Sequence, residues 1–244
     1  MKVWTKMMMA AWVMAPSVAA WAAGTGTPVD VASRFLFVPT GFDNNDQVEV
    51  VLDGFLPNAC YKVAEPRISF DEGTKKFQVV AVAHYFAADE TVCGTYEVPF
   101  TVTAKLGQVP TGDYTVKTFG GPEKPLHIKQ SNSVGPDDFL YAPVEHVHVM
   151  VDMRGRNITA AIEGRFTDSC MRFSEVKVLD EGENIVLLPV ISMEQRNDCH
   201  AQNMRYKPIE AKIPWRQPGR YLLHVRGLSG VAVNQVFEID AVSM

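Results

Sequence analysis

Alternating apolar and polar positions along most of the chain predict β-strands. In segment 48–53 every second residue is apolar and falls on one side of an extended backbone, namely Val48, Val50 and Leu52. Segment 77–86 is apolar on both sides, which predicts a central strand covered on both faces. Pro99 cannot donate to a strand ladder, so we expect an edge strand there. No stretch has sustained helical periodicity, and about seven short strands per 100 residues indicate an all-β protein.

The chain contains nearly the same module twice. The segment Asp53 to Cys60 returns as Glu163 to Cys170, 110 positions later and without a gap. Further matches follow in the same order, at 35–39 and 139–143, 71–73 and 180–182, and 112–116 and 219–223. This self-similarity predicts two tandem, internally duplicated β-sandwich domains. We place them at residues 23–129 and 139–244, joined by a polar, breaker-rich linker at 130–138.

Residues 1–22 have the pattern of a secretory signal peptide. Lys2 and Lys6 precede a short apolar run, and Ala20-Trp21-Ala22 offers small residues for cleavage. The alternative is an uncleaved anchor, but a span needs about 20 apolar residues and Pro16 interrupts a shorter run. No later segment is long and apolar enough to span a bilayer. We therefore expect cleavage after Ala22 and a periplasmic or secreted mature chain with no membrane span.

The charge balance argues against two classes of partner. Removal of residues 1–22 takes away two lysines and no acid, so the formal net charge goes from −5 to −7. Lysine and arginine are not clustered in the remainder of the sequence. A mildly acidic surface of this kind excludes nucleic acid and anionic membrane as expected partners. The composition, 47% hydrophobic and 21% charged, is sufficient for two packed cores.

Each module carries two of the four cysteines, at matching places: Cys60 and Cys93 in the first, Cys170 and Cys199 in the second. Paired cysteines in an exported chain usually form disulfides. Of the three possible connectivities, only Cys60–Cys93 with Cys170–Cys199 keeps each bridge inside its own module. The alternative of a metal or redox site lacks a C-x-x-C motif, and the spacings of 33 and 29 suit neither.

Two short segments resemble a known structural motif. Pro110-Thr111-Gly112-Asp113-Tyr114 and Pro218-Gly219-Arg220-Tyr221 are similar to the tyrosine corner of immunoglobulin-like and fibronectin-type sandwiches. The resemblance implies that each tyrosine hydroxyl bonds to nearby backbone. The chain departs from the immunoglobulin pattern at Val116 and Leu223, where a cysteine would stand. The disulfides are therefore expected elsewhere in each sandwich.

The segment 145–152 is the strongest candidate for a metal site. On a strand, His146, His148 and Met150 would share one face, and two imidazoles with a thioether suit copper. The first module has no equivalent. The alternative is an ordinary polar face turned to solvent, because two histidines without an identified third ligand define no site. No cofactor other than copper is expected.

Signatures of catalysis are missing, since the chain has no H-E-x-x-H, no G-x-S-x-G and no phosphate-binding glycine loop. We therefore expect a binding or adaptor protein rather than an enzyme, with another envelope protein as partner. The loops expected to face that partner are 43–46, 87–91 and 193–204, with Arg196 and Arg205 as candidate partner-binding residues. Copper binding is the second hypothesis, and a hydrolase assembled only by the fold is the third.

Overall fold

β-Strands account for every regular element of the described chain except one 3₁₀ turn at Leu228–Gly230. The computed structural model describes residues 26–86, 92–132 and 140–241, so the predicted signal peptide at 1–22 and the loop at 87–91 lie outside the described residues. The first half contains β1 (Thr27–Val31), β2 (Phe35–Phe37), β3 (Val48–Leu56), β4 (Tyr61–Val63), β5 (Arg67–Asp71), β6 (Lys76–Tyr85), β7 (Val98–Gly107), β8 (Gly112–Thr118) and β9 (Glu123–Ile128). The second half contains β10 (His146–Asp152), β11 (Asn157–Glu163), β12 (Arg165–Asp168), β13 (Met171–Glu181), β14 (Asn184–Met193), β15 (Ala201–Arg205), β16 (Ile209–Ile213), β17 (Gly219–Arg226) and β18 (Ala232–Ile239). In these ranges no helix is long and apolar enough to cross a membrane.

The first half is a sandwich of two sheets. One sheet has the order β2-β3-β7, which leaves β7, with its Pro99, at the edge as predicted. In the other sheet β6 is central: it pairs with β8 and β1 along one edge and with β5 and β4 along the other. Alternate residues of β3 point into the core between the sheets, where Val48, Val50 and Leu52 are buried.

The second half also contains two larger sheets. Its sheets are β10-β11-β16 and β13-β14-β17-β18, and a two-stranded ribbon, β12-β15, lies beside them. In both halves one pair of strands is parallel, β6 with β8 and β14 with β17. Ile158, Ala160 and Ile162 of β11 are buried in the core of this half, as the matching residues of β3 are in the first. The chain is therefore all-β with two sandwich-like halves.

Both predicted disulfides are present, Cys60–Cys93 in the first half and Cys170–Cys199 in the second. The two corner tyrosines also make the same contact. The Tyr114 hydroxyl donates a hydrogen bond to the backbone oxygen of Pro110 at 2.9 Å, and the Tyr221 hydroxyl donates to that of Gln217 at 2.8 Å. Each half thus has one disulfide and one turn that is held by the hydrogen bond of a tyrosine hydroxyl.

The two halves pack face to face rather than standing apart. The β2-β3-β7 sheet turns its other side toward the β13-β14-β17-β18 sheet, and the contact contains an apolar cluster of Phe37, Val51 and Leu222. The alternation predicted for 48–53 is confirmed, since Val48, Val50 and Leu52 face the core. The opposite face of this strand is buried as well. Because β3 has the first core on one side and the second half on the other, all seven residues from Val48 to Gly54 are buried.

Two of the loops expected to face a partner differ from the prediction. Asp43 and Asp46, expected in a hydrated loop, are buried between the halves. The segment 193–204 is not one long loop, because Ala201–Arg205 forms β15 and pairs with β12. The strand was not predicted because it has polar residues on both sides. It lies in a two-stranded ribbon at the surface, so neither of its faces has to be apolar. Of the predicted linker, residues 133–138 lie outside the described ranges.

Candidate binding surfaces

A buried ion pair joins the two halves near their centre. Arg220 of β17 donates from Nε to Oδ2 of Asp53 at 2.7 Å and from Nη2 to Oδ1 at 3.0 Å. The Asp53 side chain is 0% exposed and that of Arg220 is 19% exposed. Thr101 donates a third hydrogen bond to Oδ1 of Asp53 at 2.7 Å. The planar guanidinium donates to both oxygens of the carboxylate, which fixes the relative orientation of the two side chains and neutralises the buried charge.

A second arginine of β17 is held by the loop that ends before β3. Arg226 donates hydrogen bonds to the backbone oxygens of Thr40 and Gly41, at 2.9 and 3.0 Å, and to Oδ2 of Asp46 at 3.2 Å. Its guanidinium also lies 4.3 Å from the ring centroid of Phe42. The carboxylate of Asp46 in the loop at 43–46 is therefore engaged inside the molecule, while Asn44 and Asn45 remain partly exposed.

Between these two ion pairs lies a neutral histidine. The Nδ1 of His224 donates to Oδ1 of Asn234 at 2.8 Å, and Nδ2 of Asn234 donates to Oε1 of Glu49 at 2.6 Å. Burial, followed by the positive charge of Arg226, lowers the pKa of His224 to about 3. Burial raises the pKa of Glu49, and the hydrogen bond from Asn234 opposes that shift. Nε2 of His224 is buried without a hydrogen-bond partner among the described residues, so a proton there would be costly.

The two candidate partner-binding arginines already have partners within the chain. Arg196 contacts Asp198 at 2.5 Å and Glu194 at 3.5 Å, and the hydrogen bonds that Arg196 donates to the Asp198 carboxylate raise the pKa of Arg196. Arg205 lies 3.8 Å from Glu163. A partner would have to compete with these pairs, although all are exposed enough for such exchange to be inexpensive.

The predicted face of the candidate copper residues does form. His146, His148 and Met150 are exposed on one side of β10, an edge strand of its sheet, and Val147 points to the core on the other. The cross-strand neighbour of His146 is Glu163. Among the described residues, the one cluster of histidine, cysteine or carboxylate groups with metal-ligand spacing lies elsewhere, and it includes the two cysteines of the second disulfide.

The sequence did not single out Asp53, Arg220 or His224, although one signal was present. The run from Tyr221 to Val225 is apolar on both sides apart from His224, like the central strand at 77–86 with its His84. Such a run indicates burial on both faces, and in β17 the second cover is the other half of the chain. Which part of the molecule covers this second face depends on tertiary packing.

Comparison with known proteins is limited to part of the first half. Residues 50–128 match the family model described as the ORF11 beta-sandwich domain. No curated protein matches the chain, and no solved structure matches it. The matched segment begins in β3 and ends with β9, so it includes Asp53, the first disulfide and the exposed strand β5. The segment 50–128 is therefore similar to the ORF11 beta-sandwich domain, in agreement with its observed fold.

Proposed function

We propose that this protein is an exported, non-catalytic binding or adaptor protein of the bacterial periplasm that acts through contacts with another envelope protein. The observation that carries the proposal is the strand β5, Arg67–Asp71. All five of its residues are exposed, and in the described part of the chain only β6 pairs with it. An open edge of this kind offers unpaired backbone groups to an extended segment of a partner.

The edge of β5 lacks the protection that two other edge strands of the molecule have. β7 carries Pro99, and β13 has an irregular register between Phe173 and Glu175. The register of β5 against β6 is continuous from Arg67 to Asp71. Edges left regular and open invite pairing, and natural proteins usually block them when no partner is intended.

Side chains of β5 also favour a strand-like partner. Ile68 is 39% exposed and Phe70 is 44% exposed, on the same side of the strand, and the ring of Phe70 lies 4.5 Å from that of Phe77. Arg67 on the opposite side is paired with Asp30 at 2.7 Å. An added strand would therefore gain backbone hydrogen bonds together with apolar contact on one face.

Ile68→Lys is expected to weaken partner binding roughly tenfold or more without unfolding the protein, because lysine on an edge opposes strand addition. The partner is first captured with a photo-crosslinking amino acid at position 68 in intact cells, then purified and titrated against both proteins. Binding is measured by calorimetry, and the amides of β5 should become protected from hydrogen exchange. The same cells test export, since the periplasmic chain should have lost residues 1–22.

Ser174→Lys is the matched control, because it places the same charge on β13, the corresponding edge of the second half. A crosslinked partner that binds Ile68→Lys and Ser174→Lys equally well would contradict docking at β5. So would adducts formed equally at positions 68 and 174.

We further propose that the sandwiches are of the immunoglobulin-like or fibronectin type and that the two halves arose by duplication. Both corner tyrosines make the hydrogen bond expected of that motif, and the two halves share the parallel pair of strands and the place of the disulfide. A solved structure of either half with these strand orders would test the assignment.

Copper binding is the second candidate function, favoured by the exposed row of His146, His148 and Met150 on β10. His146→Ala with His148→Ala is expected to abolish uptake of Cu(I) and Cu(II), measured by calorimetry and by the mass of the intact complex. The paired control is His127→Ala with His200→Ala, two exposed histidines on other elements. Equal uptake by the two double variants would exclude this site.

A further inference from the structure

A pocket of about 510 Å³ lies at one end of the second half, where the turn between β10 and β11 meets the loop between β16 and β17. Its floor is apolar: Ile239 is buried, and Met153 and Trp215 are half-buried and pack against the core of this half. Pockets that bind small molecules commonly have volumes of about 300–1,000 Å³ and an apolar lining with a few polar groups.

Two arginines of the same turn, Arg154 and Arg156, line this pocket. Neither guanidinium has an ion pair or a hydrogen bond among the described residues. The other nine of the eleven arginines are all paired with carboxylates, as Arg34–Glu97, Arg67–Asp30, Arg165–Glu145, Arg172–Glu194, Arg196–Asp198, Arg205–Glu163, Arg216–Asp180, Arg220–Asp53 and Arg226–Asp46. Arg154 and Arg156 therefore stand together beside the pocket as the two arginines of the described residues that have no carboxylate partner.

The turn that carries them is fixed in place. Oδ1 of Asp152 accepts hydrogen bonds from the backbone N–H of Arg154 at 3.0 Å and of Gly155 at 3.1 Å. A Cβ at residue 155 would overlap the Asp152 carboxylate, so a larger residue there would displace the side chain that holds the turn. The backbone that places both guanidinium groups is thus ordered before any ligand arrives, which lowers the entropic cost of binding.

The opposite wall is fixed as well. Trp215 is followed directly by two anchored residues, because Arg216 is paired with Asp180 and the backbone oxygen of Gln217 accepts the hydrogen bond from Tyr221. An indole held in this way presents a rigid apolar surface at little entropic cost.

The turn that carries Arg154 and Arg156 can be compared with the loop 43–46 of the first half. In that half the loop 43–46 holds the guanidinium of Arg226 through the carboxylate of Asp46. In the alignment of the two modules, Arg156 of the second half stands where the first half has Asp46. The sign of the charge is reversed, so the partner group that suits the second turn is an anion.

We propose that this pocket binds a small ligand with one anionic group, a carboxylate or a phosphate, next to an apolar ring. Arg154 and Arg156 hold the anionic group through charge-assisted hydrogen bonds, and the ring lies against Trp215. Asp240 also lines the pocket, and its negative charge disfavours a ligand with a second anionic group nearby.

Tryptophan fluorescence tests the proposal directly, because Trp215 is the only tryptophan after residue 22. Three probes separate the two contributions: benzoate has charge and ring, inorganic phosphate has charge alone, and benzyl alcohol has the ring alone. Each is titrated into the chain of residues 23–244 at constant ionic strength, with Trp215→Phe as the background. We expect saturable binding of benzoate, and binding of phosphate and benzyl alcohol at least about tenfold weaker.

The double variant Arg154→Gln/Arg156→Gln should weaken benzoate binding by at least about tenfold, with the fold intact by circular dichroism. Arg67→Gln/Arg165→Gln changes the net charge equally on arginines outside the pocket and should leave benzoate affinity unchanged. Equal weakening in both double variants, no saturable benzoate signal, or equal affinity for the three probes would overturn the proposal.

Discussion

Arg220→Met is expected to lower the free energy of unfolding by about 3–5 kcal/mol, because it leaves the Asp53 carboxylate buried without its counter-charge. Asp53 is completely buried and loses both hydrogen bonds from the guanidinium, while the one from Thr101 remains. Urea unfolding followed by circular dichroism measures the change. The loss should appear with the fold of both halves otherwise preserved.

Two further variants separate this ion pair from a general effect of losing an arginine. Arg67→Met removes an exposed pair with Asp30 and should cost no more than about 1 kcal/mol. Asp53→Leu/Arg220→Met replaces both charges by apolar groups and should recover most of the loss, since no buried charge is left. If Arg220→Met costs no more than Arg67→Met, the central ion pair does not hold the halves together.

Acidification is expected to destabilise the protein through His224. Its pKa is about 3 in the folded protein against an ordinary value of 6.5, so the unfolded chain binds a proton that the folded chain excludes. The contribution of His224 is therefore complete above pH 6.5 and declines as pH falls toward 3. Within this window each pH unit reduces the ratio of folded to unfolded protein by up to about tenfold.

The contribution of Glu49 to stability changes with pH in the opposite direction and must be separated from that of His224. Its pKa is raised above 4.5 in the folded protein, so its contribution is present at low pH and is lost as pH rises through that raised value. Other charges facing His224 are those of Arg226 and Asp46. Only the comparison with a variant that cannot titrate at position 224 isolates the histidine.

His224→Gln is that variant, because its amide still donates a hydrogen bond toward Asn234 and carries no titratable group. Urea midpoints measured from neutral pH down to about pH 4 should fall more steeply for the natural protein than for His224→Gln. Parallel pH profiles for the two proteins would show that His224 does not control acid stability.

The charges on the two free sheets disfavour the packing of further copies by the same contact. In the alignment of the modules, Glu163 takes the place of Asp53 on the free sheet of the second half, and Asp113 takes the place of Arg220 on the free sheet of the first. A second molecule stacked in the same way would bring two acids together where the chain has an ion pair. Like charges across such an interface are unfavourable, which favours closure of the contact within one chain.

Much of the fold and part of the candidate surfaces could be predicted from local pattern. Alternation in 48–53, the central strand near 77–86 and the edge position of Pro99 all follow from period-two spacing and the chemistry of proline. Strand β15 was missed because a surface ribbon has polar residues on both sides and so gives no periodic signal.

Spacing along the chain is enough to predict the all-β class, one disulfide in each half, and the row of His146, His148 and Met150. Tertiary packing brings Asp53 to Arg220 and buries Asp46 against Arg226. It also leaves Arg154 and Arg156, beside Trp215, without a carboxylate partner among the described residues. Partners 167 and 180 residues apart are selected by the packing of whole sheets, and no local pattern of residues encodes that choice.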